Sequence, residues 1–196
     1  MNNSNKLFLS SQDKIRPVIV IILILLAVIA IERIETHRWW CICGQYYPWS
    51  TDIWSTHNSQ HLLDPYSFTH VLHGIALAGL IALGASRTTL PWRLCIAILI
   101  EGSWEILENS SFIINRYRTE TLSVGYQGDS IFNSLGDIMS CAIGFMIAMK
   151  LGWKRSIALF LIIEAVMLFW IRDSLLLEVI MLIYPLSGIK SWQLHH

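Results

Sequence analysis

Pro17–Ile31 reads PVIVIILILLAVIAI, an unbroken stretch without a charged or hydrogen-bonding side chain. Such a run belongs either to a secretory signal peptide or to a helix that crosses a bilayer. The basic residues before it (Lys6, Lys14, Arg16) suit both. No small-residue cleavage site follows, and the run passes directly into Glu32-Arg33-Ile34-Glu35. It therefore reads as an uncleaved first spanning helix. Its apolar core is slightly short of the ~20 residues a bilayer asks for, and Trp39 and Trp40 can extend it to an interface.

Further apolar runs follow at about 68–86, 91–107, 134–152 and 156–171, with a shorter one, SLLLEVIMLIYPL, at 174–186. The second is rich in small residues (GIALAGLIALGAS), which let membrane helices approach closely. The pattern predicts an all-α polytopic transmembrane helical bundle with five spanning helices plus a short sixth. An amino-terminal tail (1–16) would precede one transmembrane domain (17–196) with two polar outer segments, about 32–68 and 109–135. Composition agrees. Of the 196 residues 54% are hydrophobic and only 14% charged, and mean hydropathy is +0.51; a soluble domain carries nearer ~25% charged residues. The net charge of zero argues against a nucleic-acid partner, which needs a concentrated basic surface. Seven of the nine tryptophans lie near the ends of apolar runs, as in an aromatic belt at the headgroups.

Basic residues set the orientation. Lys6, Lys14 and Arg16 precede the first helix, Arg87 and Arg93 flank the second turn, and Lys150, Lys154 and Arg155 fill the turn after the fourth run. All fall on one side if the amino terminus is cytoplasmic. Both longer polar segments then face outward, where Glu32, Glu35 and Glu120 offset the loop arginines.

Polar residues placed where a spanning helix should be apolar carry the functional information. His70 and His73 are three apart at the start of the second run and share a helical face. Glu101, Glu105 and Glu108 form an acidic stripe at the end of the third, and Asp129, Asn133 and Asp137 form another leading into the fourth. Under the predicted topology all three clusters lie at the outer end of the bundle. Carboxylates on one face repel one another and are costly to bury, so the stripe calls for a metal, protons or cationic partners. Imidazole and carboxylate together suit a divalent metal, zinc or magnesium/manganese. The expected ligands are His70, His73, Glu105, Asp129 and Asp137. Glu101 is the expected general acid or base, with Glu105 and Asp129 also in the catalytic group. Asn109, Asn133, Arg116 and Arg118 are expected to bind substrate, the arginines by holding a lipid phosphate. Ser130 is the one weak candidate nucleophile. The same polar groups can merely lock a bundle, which leaves a non-catalytic envelope factor with a protein partner as the alternative. A proton- or ion-coupled transporter using Glu164, inside the fifth run, is the third reading.

Cys95 and Cys141 sit within apolar runs and read as small buried residues. Cys41 and Cys43 are too close for an easy disulfide. A Cys-x-Cys pair can bind a soft metal, but no second such pair exists in the chain. His57 and His61, four apart, would share a face if their segment were helical.

The strings DPYSFTHVLHG (64–74), EGSWEILENS (101–110), GDSIFNSLGD (128–137) and WIRDSLLLEVIMLIYP (170–185) resemble a family of small polytopic inner-membrane proteins of Gram-negative bacteria, of unknown function. The resemblance runs from about Trp39 to Trp192. It implies a membrane location and brings no activity, substrate or cofactor. More loosely, the order of features is similar to VanZ-like membrane proteins: His70 or His73, then Glu101 or Glu105, then Asp129, Asn133 or Asp137. This chain has acids and histidines beyond that pattern.

Overall fold

The computed structural model describes residues 11–85 and 87–194, with side chains from residue 15 onward. Lys6, Ser86 and the Lys14 side chain lie outside that description. The described chain is all-α: α1 (Ser11–Ile34), α2 (Ser67–Gly84), α3 (Leu90–Glu108), α4 (Ser111–Glu120), α5 (Ile131–Leu151), α6 (Trp153–Ile171), α7 (Leu175–Ile183) and α8 (Ser187–Leu194). Among the described residues three helices are long and apolar enough to cross a membrane: α1 over Ile15–Ile34, α2, and α5. The helices α3 and α6 are of similar length but carry more charge: Arg93, Glu101, Glu105 and Glu108 on one, Lys154, Arg155 and Glu164 on the other.

Local chemistry accounts for the boundaries. The helix α1 begins before Pro17 rather than at it, and runs on to Ile34 because Glu32 has a buried place to go. Ser110 and Ser130 cap α4 and α5 by accepting the amides of Ile113 and Asn133. Gly152, at φ +74°, turns α5 into α6 in a conformation that favours glycine. The segment 109–120, expected as polar loop, contains α4, and α8 follows the short apolar run that forms α7.

The core is built on α5, which packs against α2, α3 and α6. The helices α2 and α5 touch backbone to backbone. A Cβ on Gly74 would stand 2.0 Å from the Cys141 carbonyl oxygen, and one on Gly144 would stand 2.1 Å from that of Val71. Around this crossing pack Leu72, Ile75, Ala78, Ala97, Phe145 and Ala148. On the far side of α3, Gly102 leaves room for Val28 and Ile24 of α1. The outer faces of α1, α2 and α6 are apolar and exposed, with Leu83 at 85% and Phe169 at 88%. Water would penalise such surfaces, and bilayer hydrocarbon would not.

The long segment between α1 and α2 folds back on the start of α5. The carbonyls of Arg38 and Trp39 accept the amides of Ile131 (2.9 Å) and Phe132 (3.3 Å), and Ser59 O accepts that of Ser130 (2.9 Å). Helix-end amides have no partner within the helix, so these carbonyls complete α5. Within the segment, Trp49 and Leu63 form a short parallel bridge.

Candidate functional site

Asp64 precedes α2, and its carboxylate accepts the amides of Ser59 and Tyr66, each at 2.8 Å. Burial pushes the Asp64 pKa up, against the pull of those amides. One turn later His70 and His73 face α3. His70 Nδ1 lies 2.6 Å from Glu101 Oε1 and 3.3 Å from Glu105 Oε1, and its Nε2 lies 3.9 Å from Asp137 Oδ2. His73 Nδ1 lies 3.0 and 3.1 Å from the two Glu101 oxygens. Glu101 thus joins both imidazoles. Asp137 accepts the Ser67 hydroxyl at 2.9 Å. Except for His73, which is partly exposed, these groups are buried.

Apart from the 3.3 Å approach of His70 Nδ1 to Glu105 Oε1, both carboxylate oxygens of Glu105, and Oε2 of Glu108, are buried without a hydrogen-bond partner. Leaving a carboxylate so placed is expensive unless a cation or proton answers it. Two donor sets share His70: His70, His73 and Glu101, and His70, Glu105 and Glu108. In each, one ligand atom per residue lies within 4.8 Å of the others. Imidazole with carboxylate is a donor set suited to zinc or manganese. The buried cluster of His70, His73, Glu101 and Glu105 can therefore hold a metal. Glu101, expected as a free acid or base, stands among the ligand atoms.

Asp129 sits apart from the histidines in a network of its own. Its Oδ1 accepts the Tyr126 hydroxyl (2.9 Å), its Oδ2 accepts Asn109 Nδ2 (3.0 Å), and its amide donates to Asn109 Oδ1 (2.6 Å). Burial raises its pKa to about 6, with the bonds from Tyr126 and Asn109 pulling the other way. Asn109 ends α3 and also donates to the Glu105 carbonyl (3.1 Å), tying the acidic stripe to Asp129. His37 bridges the backbone carbonyls of Asp129 (3.1 Å) and Asn109 (3.0 Å).

A cavity of about 300 Å³ opens beside this cluster. His70, His73, Glu101, Glu108, Asp129 and Asp137 form its polar side. Ala76, Leu77, Leu175, Val179 and Leu182 form an apolar side, two helices of which the short α7 is one. A second depression of about 850 Å³ lies between the outer segments and shares Asn58, Ser123, Tyr126 and Asp129 with the first.

Other expected residues lie elsewhere. Asn133 is buried at the start of α5 with Nδ2 unpartnered, and it does not line the cavity. Arg116 donates to the Leu182 carbonyl (2.8 Å) and closes the end of α7, while Arg118 bonds Tyr126 O and Gln127. Neither arginine lines the cavity. Ser130 is the buried cap of α5. Glu164 accepts the Leu176 amide and so starts α7. Sequence reasoning missed His37, Tyr126 and Glu32. Glu32, read as loop charge, stands on the α1 face that carries Val28 one turn earlier, and both of its oxygens are buried and unpartnered. The repeat Val28–Glu32 on a face meeting α3 was the available signal.

A helical protein with three candidate membrane spans and a buried His/Glu cluster at the end of its central helices is the class that fold and site define. The chain belongs to the protein family of unknown function DUF2585, whose model matches residues 20–195. It is 40% identical to a UPF0314 protein of Rhizobium meliloti (strain 1021) over 190 residues, covering 94% of this chain and 95% of that one. It is 43% identical to one from Brucella anthropi over 175 residues (87% and 89%), and 42% identical to one from Paracoccus denitrificans over 153 residues (78% and 79%). No solved structure matches.

Proposed function

We propose that this chain is a five-span protein of the bacterial inner membrane, its amino terminus cytoplasmic. In this reading it uses a divalent ion held by His70, His73 and Glu101 to hydrolyse or transfer the head group of a lipid or polyprenyl-linked substrate at the periplasmic face. The observation that carries it is the buried His70–Glu101–His73 arrangement opening on a cavity that is acidic and imidazole-lined on one side and apolar on the other. A lipid offers the matching pair of surfaces.

The span count adds α3 and α6 to the three apolar helices. Glu101, Glu105 and Glu164 point inward and are buried, and the remaining basic residues lie near helix ends, so the outer faces stay apolar (Leu99, Ile100, Ile157, Leu161). Arg16, the α2–α3 turn and the α5–α6 turn share the end opposite the His/Glu cluster, which supports the orientation.

The ion would supply Lewis acidity toward a phosphoryl or carbonyl oxygen. The chain's own residues do the rest. Glu101 orients both imidazoles. The apolar wall seats the lipid body. Asp129 stands where the outer depression meets the cavity, so it is placed to take a proton from entering water, and Tyr126 and Asn109 hold it in position.

The decisive experiment is metal content by mass spectrometry on detergent-purified wild type and His73→Ala. The expected difference is one ion per folded chain. Equal content in two folded proteins would overturn the reading and move weight to the non-catalytic envelope factor.

Asp129 gives a test that needs no substrate. Its folded pKa of about 6 lies above the ordinary carboxylate value of 3.8, so the folded state binds the proton more tightly. Stability should therefore fall as pH rises from about 4 through about 6 and then level, a loss on the order of 2–3 kcal/mol. In Asp129→Asn, melts followed across that range should lack this slope. An unchanged slope would show that another group titrates.

A further inference from the structure

The loop between α1 and α2 brings together four side chains that the His/Glu site does not use: Cys41, Cys43, His57 and His61. One ligand atom of each lies within 4.8 Å of all the others. His61 Nε2 is 3.3 Å from His57 Nδ1, and Cys41 Sγ is 3.4 Å from the same nitrogen. A tetrahedral zinc ion with Zn–N near ~2.0 Å and Zn–S near ~2.3 Å sets two nitrogens about 3.3 Å apart and a sulfur and a nitrogen about 3.5 Å apart. The protein alone thus sets two of the ligand-to-ligand distances, both from His57 Nδ1, at the edge lengths of a zinc tetrahedron.

Backbone amides face both sulfurs. The Cys43 amide points at Cys41 Sγ (3.3 Å) and the Gln45 amide at Cys43 Sγ (3.4 Å). Amide donors aimed at sulfur stabilise its negative charge. Gly44, at φ +69°, makes the turn that presents the second sulfur, and the Gly44 amide closes on the Cys41 carbonyl (3.3 Å). The imidazoles are fixed by packing. His61 is fully buried, stacked on Tyr47 with ring centroids 4.0 Å apart and met edge-on by Trp40 at 5.4 Å. Trp40 is itself held by its bond to the Gln45 carbonyl (2.8 Å). Cys41 is buried while Cys43 is exposed, which leaves an entry path for an ion.

We propose that Cys41, Cys43, His57 and His61 form a second, structural metal site of the zinc Cys2His2 type that fastens the α1–α2 loop. The site is closed, with four protein ligands, and so is built to hold rather than to catalyse. Its effect is local and specific. His57 and His61 bracket Asn58, Ser59 and Gln60. Asn58 and Ser59 line the cavity, the Ser59 amide donates to Asp64, and the Ser59 and Gln60 carbonyls accept from Ser130. An ion on the histidines fixes the segment that closes the outer end of the His/Glu site.

Cobalt tests this separately from the first site, because only sulfur ligands give an intense thiolate-to-cobalt charge-transfer band. The full-length protein in detergent is stripped with chelator and titrated with Co²⁺. The expected result is a band saturating at one ion per chain, absent in a Cys41→Ser, Cys43→Ser variant and unchanged in His73→Ala. Should the serine variant fail to fold, His57→Cys, which adds a third sulfur, is expected to bind with a stronger band. Alkylation of the exposed Cys43 is expected to be blocked by zinc and released by chelator. No band in folded wild type, a band surviving the loss of both cysteines, Cys43 alkylated equally with and without zinc, or a Cys41–Cys43 disulfide in freshly purified protein would each overturn the proposal.

Discussion

Glu101→Gln is expected to weaken divalent-ion binding at the α2–α3 site by at least ~100-fold, since even partners one layer removed from a metal contribute 10–100-fold. The change keeps shape and removes charge. Glu101 stands 2.6 Å from His70 and 3.0 Å from His73, so both imidazoles lose their anionic partner at once. Chelator competition on a protein lacking the loop cysteines reads this site alone. Because the three residues act as one unit, adding His73→Ala should make matters little worse than Glu101→Gln by itself. Fully additive losses would mean that Glu101 and His73 do not share an ion. Unaltered affinity in Glu101→Gln would remove Glu101 from the site.

The second large effect is steric. Gly74→Ala puts a methyl 2.0 Å from the Cys141 carbonyl oxygen and 2.6 Å from the Phe145 nitrogen, all backbone that cannot swing aside. The helices α2 and α5 must separate, at a cost of about 3 kcal/mol or more. Gly79→Ala, on the same helix with nothing within 4 Å, is the control and should be neutral or slightly stabilising. Thermal melts in detergent compare them. The consequence reaches the site, since α2 carries His70 and α5 carries Asp137, 3.9 Å apart. If Gly74→Ala melted with Gly79→Ala, the close crossing would not be a determinant of the fold.

Particular residues show what could be read from one sequence. The runs that became α1, α2 and α5 announced themselves because hydropathy is a local property. The pairs His70/His73 and Glu101/Glu105 were visible because helical spacing converts sequence intervals into a shared face. The non-local facts were hidden. Nothing near Arg116 in the chain says that its guanidinium will close α7. The four loop ligands were legible as two pairs, but the segment holding His57 and His61 is a series of turns rather than a helix, and only tertiary folding brings the pairs together. Small glycine-rich intervals were read correctly as close-packing material on α2, yet only Gly74 among its glycines makes that contact.

The capping of α5 by Arg38, Trp39 and Ser59 bears on how the molecule is made. The amides of Ser130, Ile131 and Phe132 leave the ribosome long after the carbonyls that will satisfy them. Until α5 arrives, the loop has no helix end to cover, and α5 enters the bilayer with its first amides unmet. Biogenesis must therefore hold an earlier-made loop in waiting through the synthesis of α2, α3 and α4. A chain stalled before α5 would present that loop, with its two thiols, to whatever quality-control proteases patrol the membrane surface.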